Sequence, residues 1–187
     1  MAIRIYIDQG HNPENPNAGA EGNGLREQDI TYRVGKALGE RLRANGAFAV
    51  RESRPTHTTS LGSSNSTSLQ ARVRDANEWG ADYFISLHTN AATDPRATGS
   101  EAFAYQEPSA AFRLGTDILE GLNRLTGLRD RGMMVRPGLY VLRRTAMPAV
   151  LVELGFISNP EDAARMNTQP ELFANGVYAG LLTFFDL

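Results

Sequence analysis

Three short apolar runs constrain this chain most: IRIYID at 3–8, DYFISLH at 82–88 and AVLVE at 149–153. Each has the length of a strand, is rich in β-branched or aromatic residues and ends on a polar side chain. Between them the apolar period lengthens from two to nearly four. Ile30, Val34, Ala37, Leu38 and Leu42 share one helical face before Asn45-Gly46, which predicts a helix over 26–45. Leu69, Val73 and Ala76 mark a second helix, with Thr67 and Gln70 read as its capping box and Gly80 as its stop. Ala111, Leu114, Ile118, Leu122 and Leu125 mark a third over 108–125, ended by Gly127. Asn159-Pro160-Glu161-Asp162 supplies an N-cap, an N1 proline and two first-turn acids for a short helix, and 170–185 reads as the last. Further strands are expected over 47–52, 100–106 and 139–143. Residues 56–68 are Ser/Thr-rich without period and read as a surface loop, with His57 solvated. Alternating strands and helices predict one α/β domain over 1–187. Its sheet is twisted and mostly parallel or mixed, with helices on both faces.

Composition narrows the chemistry. With no cysteine among 187 residues, a disulfide framework, a thiolate metal site and a cysteine nucleophile are excluded. A formal net charge of −2 offers no pull toward nucleic acid, and no run of residues is long and apolar enough to span a membrane. The N-terminus lacks a signal-peptide pattern, so the chain reads as leaderless or as the trimmed form of a longer protein. Neither a Gly-x-Ser-x-Gly elbow, a phosphate loop nor an HExxH helix is present.

Polar residues at the strand ends point to the site. His11 follows the first strand, His88 closes the second run and Glu153 closes the third. Parallel strands would gather all three at one sheet edge, where open α/β sheets bind ligands. Glu27 opens the first helix, which packs back beside strand one and can start near His11. Two histidines and one carboxylate leave a coordination position open, the pattern of a catalytic zinc site. From spacing alone a strand-end histidine is more often a hydrogen-bonded structural residue than a ligand, and Glu27 alone reads as a first-turn acid. Glu153 differs, because a carboxylate after four apolar residues is at least half buried and needs a partner or a task.

The blocks IDQGHNP, LREQD, LQARVRDAN, ADYFISLHTN, GSEAFAY, DRG and MPAVLVELGFISNPED, in this order, resemble the zinc-dependent N-acetylmuramoyl-L-alanine amidases of the type 3 family. The resemblance covers essentially the whole chain. It implies one zinc ion held by His11, Glu27 and His88, and Glu153 as the catalytic residue. It implies peptidoglycan as substrate, cut between the lactyl group of N-acetylmuramic acid and L-alanine, with action at the bacterial cell wall, extracellular or periplasmic. Asp8 and Asn90 flank the histidines and are expected to orient imidazoles, Asn90 also being a candidate substrate contact. Arg131, in an arginine-rich stretch over 124–144, is the candidate contact for a stem-peptide carboxylate. Gln9 and Asn12-Pro13 depart from the family's Pro-Gly-His-Gly-Gly pattern around the first histidine. Only one strand and one helix fit between Asp94 and Gly127, which predicts a groove without the plugging helix of some members. The competing readings are a zinc peptidase cutting inside the stem peptide and a non-catalytic wall-binding module. No wall-binding repeat is recognisable here, so any such module lies outside these residues.

Overall fold

A computed structural model describes residues 2–187, leaving Met1 outside the described residues. Strand β1 (Ile3–Gln9) is followed by a small hairpin, β2 (Glu21–Gly22) and β3 (Leu25–Arg26), that runs directly into helix α1 (Glu27–Asn45). Then come β4 (Phe48–Glu52), α2 (Asn65–Trp79), β5 (Tyr83–Asn90), β6 (Ser100–Ala104), α3 (Ala110–Thr126) and β7 (Asp130–Val135). The chain closes with α4 (Tyr140–Arg144), β8 (Ala149–Phe156), α5 (Pro160–Thr168) and α6 (Pro170–Phe185). Among the described residues the main sheet has six strands in the order β4-β1-β5-β8-β6-β7. All neighbours are parallel except β6 and β8, so the expected mixed α/β architecture is present.

Side-chain alternation divides the sheet into two unlike faces. Ile5, Ile7, Ile85, Leu87, Val150 and Val152 pack with α1, α3 and α6 in the larger core. Tyr6, Phe84, Phe103, Ala149 and Leu151 pack with Val73 and Ala76 of α2 and Val141 and Leu142 of α4. Asp8, Ser86, His88, Glu153 and Glu101 continue this second face beyond the reach of those hydrophobic partners. The site is therefore the upper half of a face that two short helices cover only in part. Helix α3 packs through Gly115 against Val150 on the opposite face, so the segment between Asp94 and Gly127 puts no plug over the site.

Several local expectations are corrected. Residues 139–143 are not a strand, because β7 takes the slot beside β6 and α4 folds down to bury Val141 and Leu142. Strand β7 escapes the sequence pattern because Asp130-Arg131-Gly132 are poor strand formers, held by pairing along a sheet edge. Helix α2 starts earlier than Thr67. Ser64 is its N-cap, accepting from the Thr67 amide at 3.1 Å, while Thr67 Oγ1 accepts from the Ser64 amide at 2.9 Å. Leu125 is 38% exposed, and Thr126 takes the inward position with its hydroxyl on Leu122 O. Strand β8 runs on to Phe156, so Glu153 lies inside a strand rather than at its end. His57 is half exposed, as expected of a loop residue, but its Nε2 lies 3.0 Å from Asp29 Oδ1.

Candidate metal centre and active site

His11 sits at φ 68, in the left-handed region that costs a non-glycine residue free energy, so the surroundings must hold it there. Arg72 of α2 does so. It is 1% exposed, and its Nη2 donates to His11 O at 2.6 Å while Nη1 donates to Gln9 O at 2.7 Å and to Asp8 Oδ1 at 2.6 Å. Asn12 adds a second clamp, donating to Pro16 O and Leu61 O and accepting from the Leu61 amide at 3.0 Å. Gly10 is required for another reason: a Cβ there would stand 2.5 Å from His88 Cε1, so only glycine lets the two histidine-bearing strands close up.

Glu27 reaches the same point from the other side. The β2–β3 hairpin turns at Asn23-Gly24, both at positive φ, and its return strand leads straight into α1, placing Glu27 at the first helical position. Gly19 makes room, since a Cβ there would lie 2.8 Å from Glu27 Oε2 and 2.9 Å from His11 Cδ2. The Glu27 carboxylate bridges the histidines, with Oε2 at 3.2 Å from His11 Nε2 and Oε1 at 3.0 Å from His88 Nδ1. It also accepts from the amides of Ala20 at 2.9 Å and Thr89 at 3.0 Å. Burial opposes its charge, but the histidine hydrogen bonds outweigh burial and hold its pKa below the usual carboxylate range.

One ligand atom from each of His11, Glu27 and His88 lies within 4.8 Å of the other two, so the three could hold a metal ion. The fit is good on the residues' own terms. Two imidazoles and one carboxylate are the donor set of an open catalytic zinc site, and His11 Nδ1 is buried with no hydrogen-bond partner. The backbone bonds to Glu27 leave its two oxygens fixed in direction rather than free to swing.

Beside this cluster runs a row of acids. His88, Glu153 and Glu101 are direct partners across β5, β8 and β6, so their side chains share one face. Glu153 Oε2 is buried and has no hydrogen-bond partner. Burial pushes its pKa up to about 7; His88 opposes the shift, and the charges of Glu27 and Glu101 add to it. Glu101 is held as an acceptor by Asn90 Nδ2 at 2.6 Å and Arg131 Nε at 2.7 Å.

Sequence reasoning picked out His11, Glu27, His88 and Glu153, and the structure brings these four together. Asp8 does not touch an imidazole; its oxygens accept from Arg72 and, at 2.8 Å, from Ser86. Asn90 and Arg131 meet on Glu101, and the Arg131 guanidinium lies 5.0 Å over the Phe156 ring. Two residues were missed. Arg72 had a visible signal, an arginine on the same helical stripe as Leu69, Val73 and Ala76. Glu101 had a weaker one, an acid in a strand otherwise made of small and apolar residues.

The N-acetylmuramoyl-L-alanine amidase family matches residues 5–183. The chain is 35% identical to N-acetylmuramoyl-L-alanine amidase CwlM of Bacillus licheniformis, over 99% of this chain and 70% of that protein. It is 34% identical to N-acetylmuramoyl-L-alanine amidase LytC of Bacillus subtilis, over 97% of this chain but 35% of LytC. The crystal structure of an N-acetylmuramoyl-L-alanine amidase from Clostridium difficile 630 superposes with a TM-score of 0.87 at 27% identity, covering 99% of this chain and 97% of that one. Matched in sequence and in fold over nearly its whole length, the chain belongs to the N-acetylmuramoyl-L-alanine amidase family.

Proposed function

We propose that the chain is one catalytic domain that uses zinc to hydrolyse the amide between the lactyl group of N-acetylmuramic acid and L-alanine in peptidoglycan, acting at the bacterial cell wall. His11, Glu27 and His88 are the ligands. When bound there, zinc supplies a Lewis acid for the amide carbonyl and makes water acidic enough to attack near neutral pH. The observation that carries the reading is Glu153: a buried carboxyl with an unpartnered oxygen, beside His88 on the same face, its pKa raised by burial in the metal-free fold.

Glu153 accepts the proton of the attacking water and returns it to the departing nitrogen, the work of a general base and then a general acid. Arg72 keeps His11 in place through its carbonyl, and Asp8 acts on the site through Arg72. Arg131 keeps Nη2 for a stem-peptide carboxylate while its Nε remains on Glu101, and Asn90 steadies the same acid. Among the described residues no helix is long and apolar enough to cross a membrane.

The test is to digest purified peptidoglycan with the zinc-loaded protein, label the new amino termini and identify them by mass spectrometry. N-terminal L-alanine on intact stem peptides is expected. New termini at D-glutamate, the diamino acid or D-alanine would make the protein a peptidase, and no new termini of any kind would refute hydrolysis of the stem.

A further inference from the structure

The face that carries Glu153 continues below the histidines, between α2 and α4. There it opens into a cavity of about 140 Å³ whose upper wall is His11 and His88. The rest of the lining is largely apolar: Leu69 of α2, Leu139 and Val141 at the start of α4, and Leu151, one pleat below Glu153. The two charges at its margin, Asp8 and Arg72, are spent on each other at 2.6 Å. Neither Glu153, Glu101 nor Arg131 lines it. Asn17 and Tyr140 also line it, and a space of this size with a mainly apolar lining suits a small alkyl group better than a charged one.

Its position says which alkyl group. A scissile amide has two sides, and the nitrogen must lie toward Glu153 if that residue protonates it. The stem peptide then extends along the row of Glu153, Glu101 and Arg131. The acyl side then lies over His88, away from Glu101 and above the cavity, and the carbon next to the carbonyl on that side carries one methyl group besides the ether oxygen to the sugar. Resting on the amidase reading above, we propose that this cavity is a specificity pocket for the lactyl methyl of muramic acid. The enzyme thereby measures the acyl half of the bond as well as the peptide half. Leu69 and Val141 come from α2 and α4, elements that contribute no metal ligand, so these walls can be altered without removing a ligand.

The experiment compares three synthetic muramoyl tripeptides with the zinc-loaded enzyme: the natural lactyl ether, a glycolyl ether lacking only the methyl, and a lactyl ether with glycine in place of L-alanine. The wild type is expected to lose about fourfold or more in kcat/KM on the glycolyl compound, the worth of burying one methyl group. Leu69→Phe, which pushes a ring into the cavity, should abolish the advantage of the lactyl substrate over the glycolyl one, while bound zinc stays near wild type. The wild-type comparison needs no variant, so a folding defect in Leu69→Phe leaves the proposal testable. Equal kcat/KM on the lactyl and glycolyl compounds would overturn the pocket and leave the amidase intact. A penalty on the glycine compound alone would assign the cavity to the alanyl side and likewise overturn it. Cleavage of none of the three would sink the amidase reading, and the pocket with it.

Discussion

Replacing Arg72 by methionine keeps the buried stem and removes the fork. Five contacts vanish together: the ion pair to Asp8 at 2.6 Å, the hydrogen bonds to Gln9 O at 2.7 Å and His11 O at 2.6 Å, and longer ones to Ser53 Oγ and Asn12 Oδ1 at 3.3 Å. Asp8, 1% exposed, keeps only Ser86. Breaking a buried ion pair from one side costs about 3–5 kcal/mol, mostly because the surviving charge stays buried. A domain of this length has roughly 10–25 kcal/mol of stability in total, so Arg72→Met should fold but melt about 6–20 °C lower. Adding Asp8→Asn should recover part of the loss, since the orphaned charge is then gone. The local effect is more specific. Without the clamp on its carbonyl, His11 relaxes from its left-handed φ of 68, and zinc affinity should fall about 10- to 100-fold. Thermal melts of the metal-free protein read the first effect, and competition titration against a chromophoric chelator reads the second. A variant that melts within about 2 °C of wild type and binds zinc equally well would refute the claim that Arg72 holds the histidine.

Two further perturbations separate stability from chemistry. Glu153 ionises near 7 in the fold but near 4.5 when unfolded, so its folded pKa is raised and the metal-free protein should lose stability as pH climbs between those values. Glu153→Gln should therefore gain about 3 kcal/mol at pH 8 and under about 1 at pH 5 in urea titrations, while abolishing turnover; an equal gain at both pH values would contradict the burial argument. Chelating the metal should stop activity reversibly yet leave a cooperative thermal transition, because the apolar core around β1, β5 and β8 carries the fold; a non-cooperative melt in chelator would show that the metal is structural.

How much of this was legible beforehand depended on the range of the interaction. Helices α1 and α6 could be read nearly to the residue because their signals are local: an apolar stripe, a first-turn acid, a terminating glycine or proline. The four central site residues were legible too, since polar residues near the C-terminal ends of neighbouring parallel strands, and a helix start packed beside them, gather at one sheet edge. The hairpin that delivers Glu27 carried an Asn23-Gly24 signal that the short flanking strands, two residues each, were too brief to confirm. Strand β7 had no local signal at all.

What the sequence determined by itself was the class of fold and the inventory of chemistry: an α/β sheet, and histidines and glutamates at the ends of apolar runs. Those follow from periodicity and from the cost of burying a charge without a purpose. Tertiary structure alone decided the rest. It set which of two competing segments pairs with β6, and so whether residues 139–143 form a strand or fold down over Leu151. It set the conformation of His11, which depends on an arginine 61 residues away in sequence. It placed Glu101 and Glu153 opposite one another across an antiparallel pair, so that the charge of Glu101 adds to the burial that raises the Glu153 pKa. In each case the deciding energy is a contact between segments distant in sequence, and such contacts leave no periodic trace in either segment alone.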